Sequence, residues 1–254
     1  MEYFVARESI VRKVWSKSDT ILFVFAGAAA EFSLNKAVDW LYFTGRLPAD
    51  PMGRLFSTVM YARRIVFSEK QEALNAIDKI TSIHTAVENN RKSKIPDWAY
   101  RDVLFMLIYY SIASYELLER KLTAPEKEDL FDVFFRMGTR MNLTRLPENY
   151  HAWTVMHASQ LEEDLIKSDY TTDLYKQYRK HLGPMRYILL IETQKMVCPQ
   201  RVRDLLAFGN VGWARPLLLL YKASRKLRLD GTLKSIILPN KYKQQIAELD
   251  NQIE

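Results

Sequence analysis

The stretch from Ser68 to Val87 restricts the fold of this chain most, because it joins a helix start signal to an apolar stripe of helical period. Ser68-Glu69-Lys70-Gln71 has the pattern of a capping box, in which the serine side chain accepts from a free backbone N–H and Gln71 reaches back. The stripe then recurs at steps of three and four residues: Ala73, Ile77, Ile80, His84 and Val87. This spacing predicts an amphipathic helix from Glu69 to about Asn89 with His84 on its inward face.

An inward-facing imidazole costs free energy unless its ring nitrogens find partners. His84 is therefore expected either to hydrogen-bond a buried neighbour or to ligate a metal ion. Periodicity cannot choose between these roles. Because buried histidines are common and single-histidine metal sites are not, the pattern by itself favours a core histidine.

Helical signals continue along the rest of the chain, with no strand-period run longer than a few residues. Helices are predicted over Glu2 to Trp15, from Ile21 to about Phe43 behind the cap Ser18-Asp19-Thr20, and from Pro96-Asp97 through a segment that is apolar all round. Another is predicted from the capping box Thr123-Ala124-Pro125-Glu126 to about Met141. Because no Gly/Ser/Pro-rich linker interrupts the chain, we expect an all-α fold with one domain over residues 1–254, built around the central buried helix.

Composition narrows the classes of partner and compartment. Lys and Arg outnumber Asp and Glu by 37 to 30, but no zinc-finger spacing, RNP-like segment or basic tail accompanies the excess, so nucleic acid is not an expected partner. The single cysteine, Cys198, excludes an intrachain disulfide and favours a reducing compartment, which together with the lack of a signal peptide predicts a cytoplasmic protein. The longest apolar runs fall short of the roughly 20 residues that span a bilayer, so we expect a soluble protein, with peripheral membrane contact and oligomeric state left open.

Two spacings carry candidate chemistry. Arg54 and Thr58 are four residues apart, so a helix places a guanidinium and a hydroxyl on one face. Such a pair can hold a carboxylate, a phosphate or a bound oxygen species, but it can equally be an exposed arginine beside a threonine bonded to its own backbone. Glu148 and His151 form one ExxH half-motif with no second copy, which favours an exposed pair over a di-iron site. Nucleotide-binding glycine loops, HExxH and GxSxG are all missing, and Cys198 is expected to be a structural thiol.

The order of several short motifs resembles the MpaB and latex-clearing-protein (rubber oxygenase) catalytic domain family. The segment from Asp50 to Thr58, DPMGRLFST, is similar to the family's DPxxRLxxT, and Ile83-His84-Thr85-Ala86-Val87 is similar to its IHxxV helix. Leu122 to Glu126, Asn142 to Pro147 and Leu238-Pro239 follow in the family's order. The resemblance spans about residues 18 to 245.

That resemblance implies an all-α domain with a heme pocket, in which His84 ligates the iron of heme b and Arg54 and Thr58 hydrogen-bond dioxygen on the distal side. The implied activity is that of a heme-dependent oxygenase that oxidises or cleaves an apolar, isoprenoid-type substrate. Its expected pocket is lined by the second helix and the Val103 to Ile112 helix. Ser57 stands where latex-clearing proteins carry a lysine, so the distal arrangement of those proteins does not transfer.

Two other classes remain open at this stage. A heme carrier or sensor would use the same His84 ligand without turnover. A cofactor-free helical interaction protein would keep His84 as a core residue.

Overall fold

The computed structural model describes residues 2–45, 49–209, 216, 218, 219, 221 and 222, apart from the side chains at positions 51, 52 and 54–56. Regular structure in these residues is helical, apart from isolated β-bridges between Tyr3 and Glu69 and between Asn35 and Leu165. The ten described helices are α1 (Ile10–Trp15), α2 (Ser18–Leu34), α3 (Val38–Phe43), α4 (Pro51–Phe67), α5 (Lys70–Arg91), α6 (Asp97–Leu118), α7 (Ala124–Arg140), α8 (Tyr150–Glu163), α9 (Asp169–Val197) and α10 (Gln200–Leu205). The predicted all-α fold is confirmed, whereas the Leu238-Pro239 motif lies outside the described residues.

Helix α6 is the central helix that the sequence predicts. Its buried side chains point in every direction around the axis, because nearly every position from Leu104 to Ile112 is apolar. Helix α2 packs along α6, and α9 packs on another side of α2. The small residue Gly27 permits the close approach of α2 to α6, since a Cβ atom there would lie within 3 Å of the Tyr110 ring. Close helix packing therefore accounts for the small-residue run of α2.

Two helix boundaries differ from the sequence-based expectation. Helix α1 begins only at Ile10, because the residues before it form bends and a turn after a single bridge between Tyr3 and Glu69. Helix α2 ends at Leu34 rather than near Phe43. The break falls at Asn35, whose side chain accepts from the Ala37 N–H at 2.8 Å and donates to the Asp102 carboxyl at 2.7 Å. These bonds satisfy backbone and side-chain groups outside the helix and so favour the turn.

The predicted capping box at Ser68 is wrong. Ser68 instead ends α4, where its N–H donates to the Arg64 carbonyl at 3.0 Å, and Gln71 donates to Asn75. The first N–H of α5, that of Lys70, donates to the Glu2 carbonyl at 2.9 Å. The N-terminal segment therefore supplies the acceptor that a capping side chain would otherwise provide.

The predicted cap at Ser18-Asp19-Thr20 is wrong, because Ser18 is already the first residue of α2 and Lys17 is its N-cap. The capping box predicted at Thr123 appears as expected. Thr123 and Glu126 form a reciprocal capping box at the start of α7. Gly183, which precedes Pro184, has φ 73° and interrupts the helical backbone of α9. None of the described helices combines the length and apolar character needed to cross a bilayer.

Candidate functional site

Helices α4 and α5 form a hairpin that carries the residues singled out by the sequence. The connection between them is two residues long, and the two helices pack against each other. With a rise of 1.5 Å per residue, Arg54 lies about 20 Å along α4 and His84 about 21 Å along α5 from the hairpin turn. Thr58 lies one turn nearer the hairpin on the face of Arg54.

The start of α4 is fixed by its own sequence. The Asp50 carboxylate accepts from the Gly53 N–H at 3.0 Å, and Pro51 occupies the first turn. A side chain at position 53 would bring a Cβ within 3 Å of the Asp50 carboxylate, which explains the glycine. The DPMG segment thus sets the helical register in which Arg54 and Thr58 follow.

His84 lies where the apolar stripe of α5 leaves the core. Ala73 and Ile77 are fully packed, whereas Ile80, His84 and Val87 are half-buried. The prediction of an inward-facing ring is therefore corrected to a half-buried ring, with its Nδ1 atom shielded from solvent. The ring lies against Tyr100 of α6, with centroids 5.0 Å apart and planes at 56°.

A polar cluster holds Tyr100 in place beside His84. The Glu88 carboxylate accepts from the Tyr100 hydroxyl at 3.1 Å, from the Ile95 N–H at 3.0 Å and from Lys94 at 2.9 Å. Partial burial opposes ionisation of Glu88, but these donors outweigh it and lower its pKa. Burial, followed by the charge of Glu88, raises the pKa of Tyr100, so the phenol stays protonated and donates.

One feature of His84, the shielding of its Nδ1 atom, is compatible with an axial heme ligand. Such a ligand is a neutral imidazole that offers one ring nitrogen to the metal while the protein encloses the other, and the shielded Nδ1 of the half-buried ring matches this division. The described residues contain no group of three or more His, Cys, Asp or Glu side chains that could hold a metal ion. Heme iron, which is already held by porphyrin nitrogens, takes only axial ligands from a protein.

A second polar cluster, on another side of α6, was not predicted. Glu31 of α2 is fully buried and accepts from the Tyr110 hydroxyl at 2.9 Å, and that hydroxyl also contacts the Cys198 Sγ at 3.6 Å. The His157 Nε2 lies 4.0 Å from the Glu31 carboxylate. Burial raises the pKa of Glu31 to about 7 and lowers the pKa of His157 to about 4.

This cluster lies beside a cavity of about 690 Å³ between α6, α8 and the junction of α9 with α10. The sequence predicted a pocket lined by the second helix and by the helix from Val103 to Ile112. Tyr109 and Ile112 of α6 do line this cavity, but no residue of α2 is part of its described lining. A lone glutamate inside the apolar run of α2 was the one available sequence signal for the cluster. By contrast, the ExxH pair Glu148 and His151 is exposed, as expected.

Together these features define an all-α domain that displays one half-buried histidine beside a DPMGR helix start. Residues 15–227 match the model of a family described as the catalytic domain of the ER-bound oxygenase mpaB/B' and rubber oxygenase. The match covers most of the chain, and the chain belongs to this family. It contains every motif of the predicted resemblance except Leu238-Pro239, which lies beyond residue 227. No curated protein matches the chain with significant similarity.

Proposed function

We propose that the chain is a heme b-dependent oxygenase with His84 as the axial ligand of the iron. Membership of an oxygenase family supports the reaction class. The similar distances of Arg54 and His84 from the turn that joins their two helices support the site. The substrate class suggested by the name rubber oxygenase is an apolar isoprenoid, with dioxygen as co-substrate. The single buried cysteine supports the cytoplasm as the location.

Each residue of the hairpin and of the neighbouring α6 would have a separate role. His84 would hold the cofactor, and Tyr100, anchored by Glu88, would fix the plane of the imidazole. Arg54 would offer a permanent charge with several donors, and Thr58 a hydroxyl one turn away, to polar groups at the distal face. When bound, heme b supplies the redox chemistry that activates dioxygen.

Absorption spectroscopy after addition of hemin tests the ligand role. We expect the purified wild-type chain to develop a Soret band that is lost or shifted in His84→Ala, because alanine cannot ligate iron. His181→Ala is the matched control, since His181 is an exposed histidine on α9 and should leave the spectrum unchanged. Equal spectra for wild type and His84→Ala would remove His84 from the ligand role, and a colourless wild type would remove the heme.

Substitution of Arg54 separates binding from turnover. Arg54→Ala should keep the Soret band while lowering dioxygen consumption with a short polyisoprene and a reductant by about 10²-fold, the range for loss of one preorganised donor. Arg64→Ala, an exposed arginine of the same helix, serves as control. Unchanged consumption in Arg54→Ala would argue against a distal role. A wild-type Soret band without any consumption would indicate a heme carrier or sensor.

A further inference from the structure

The cavity beside α6 is separate from the hairpin that carries His84. Its first lining residue on α6, Tyr109, follows Tyr100 by nine residues, or about 14 Å along the helix axis. From there the lining continues along α6 to Glu116 and Leu117 and reaches Lys121. The cavity therefore requires an explanation of its own.

The floor of the cavity is aromatic and uncharged. The rings of Trp153 and His157 are stacked with centroids 5.1 Å apart and planes at 11°, and Tyr109 lies 5.1 Å from His157 on another side. His157 is 5% exposed, and its Nε2 makes no hydrogen bond with any described residue. Since its pKa is lowered to about 4, the imidazole is neutral near pH 7. Such a floor accepts apolar groups and disfavours a charged one, which would lose its hydration there.

The rim of the cavity carries positive charge. The Nη1 of Arg203 on α10 donates to the Lys195 carbonyl at 3.5 Å, and its Nη2 donates to the Gln200 side chain. The Nε of Arg203 is shielded from solvent and makes no hydrogen bond in the described part of the chain. The lining carboxylate of Glu116 is already paired with Lys121 at 2.7 Å and Lys127 at 3.0 Å. The rim therefore carries an excess of cations, and among the described residues the Arg203 guanidinium is not paired with a carboxylate.

We propose that this cavity binds an amphiphilic carboxylate, with its apolar body on the Tyr109–His157–Trp153 floor and its carboxylate on Arg203 at the rim. A volume of about 690 Å³ suits one such molecule, since ligand cavities run from about 300 to 1,000 Å³. The neutral floor and the charged rim fix the orientation of the molecule. The assignment is independent of heme at His84, because it uses neither α4 nor α5.

Displacement of the aromatic sulfonate 1-anilinonaphthalene-8-sulfonate (ANS) tests this site in the full chain without hemin. We expect saturable ANS fluorescence that dodecanoate displaces at least tenfold more effectively than dodecanol. Arg203→Gln should weaken dodecanoate about tenfold and leave dodecanol unchanged, because it removes the charge at the rim. Arg201→Gln is the matched control, since Arg201 lies on the same helix and pairs with Glu162 outside the cavity.

Two further variants locate the site. Ala113→Trp, which fills the cavity from α6, should abolish displacement by both ligands while circular dichroism reports an unchanged helical fold. His84→Ala should bind like the wild type. Three results would each overturn the proposal. They are full retention of binding in Ala113→Trp, a dodecanoate affinity in Arg203→Gln equal to that of the wild type, and loss of binding in His84→Ala.

Discussion

At the scale of single residues, the most unusual groups are two carboxyls buried in the core. Glu31 contacts the Tyr110 hydroxyl, and Asp102 contacts the Asn35 amide. Burial raises the pKa of Glu31 to about 7 and that of Asp102 to about 8, in each case against the opposing effect of the hydrogen bond. Both groups therefore bind protons more tightly in the folded chain than in the unfolded chain, which makes folding sensitive to pH.

Glu31→Gln should remove part of this pH dependence. Because the folded pKa of Glu31 lies above its ordinary value of 4.5, the wild type loses stability as pH rises from about 4.5 through about 7. Glutamine cannot ionise and keeps an acceptor for the Tyr110 hydroxyl. The stability of the variant relative to the wild type should therefore increase across this range by up to roughly 3 kcal/mol.

Urea unfolding at intervals between pH 5 and pH 8 measures this difference. The slope due to Asp102 is present in both proteins and cancels in the comparison. Glu148→Gln, which changes an exposed carboxylate, should follow the wild type at every pH. Parallel curves for Glu31→Gln and the wild type would show that Glu31 titrates normally in the folded state.

At the scale of helices, local sequence predicts an element well where all of its partners are local. The Thr123–Glu126 box forms because both of its members lie within one turn. The similar pattern at Ser68 fails because Glu2, far away in sequence, supplies the acceptor for Lys70. Asn35 ends α2 in the same way, through Asp102 on a different helix.

The same distinction applies to the two candidate sites. Arg54, Thr58 and His84 lie in short motifs whose order along the chain can be recognised without coordinates. The cavity is built from Tyr109, Trp153 and Arg203, which come from three helices and belong to no local pattern. The half-burial of His84 was equally hidden, because it depends on how α4 and α7 pack against α5.

At the scale of the whole molecule, the contact between α2 and α6 joins the parts of the core. One apolar cluster contains Phe25 of α2 with residues of α4 to α8, and another contains Val24 and Tyr110 with the end of α9. Tyr110 also links α2 to α9 through its bonds to Glu31 and Cys198. Any change that separates α2 from α6 should therefore weaken both clusters together.

Gly27→Ala tests this dependence. The added methyl group would enter the Tyr110 ring, which is fully buried and cannot swing away, so α2 and α6 must separate. Overpacking of this kind costs about 1–3 kcal/mol, which exceeds the gain of about 1 kcal/mol from replacing a helical glycine. Gly138→Ala on α7 is the matched control, because its methyl group meets the ends of the flexible Leu104 and Leu146 side chains and should be nearly neutral. Urea unfolding is followed by both circular dichroism and tryptophan fluorescence, and Gly27→Ala should lower the midpoint by the same amount with each probe. Equal stability of Gly27→Ala and Gly138→Ala would mean that α2 and α6 are not in close contact at Gly27.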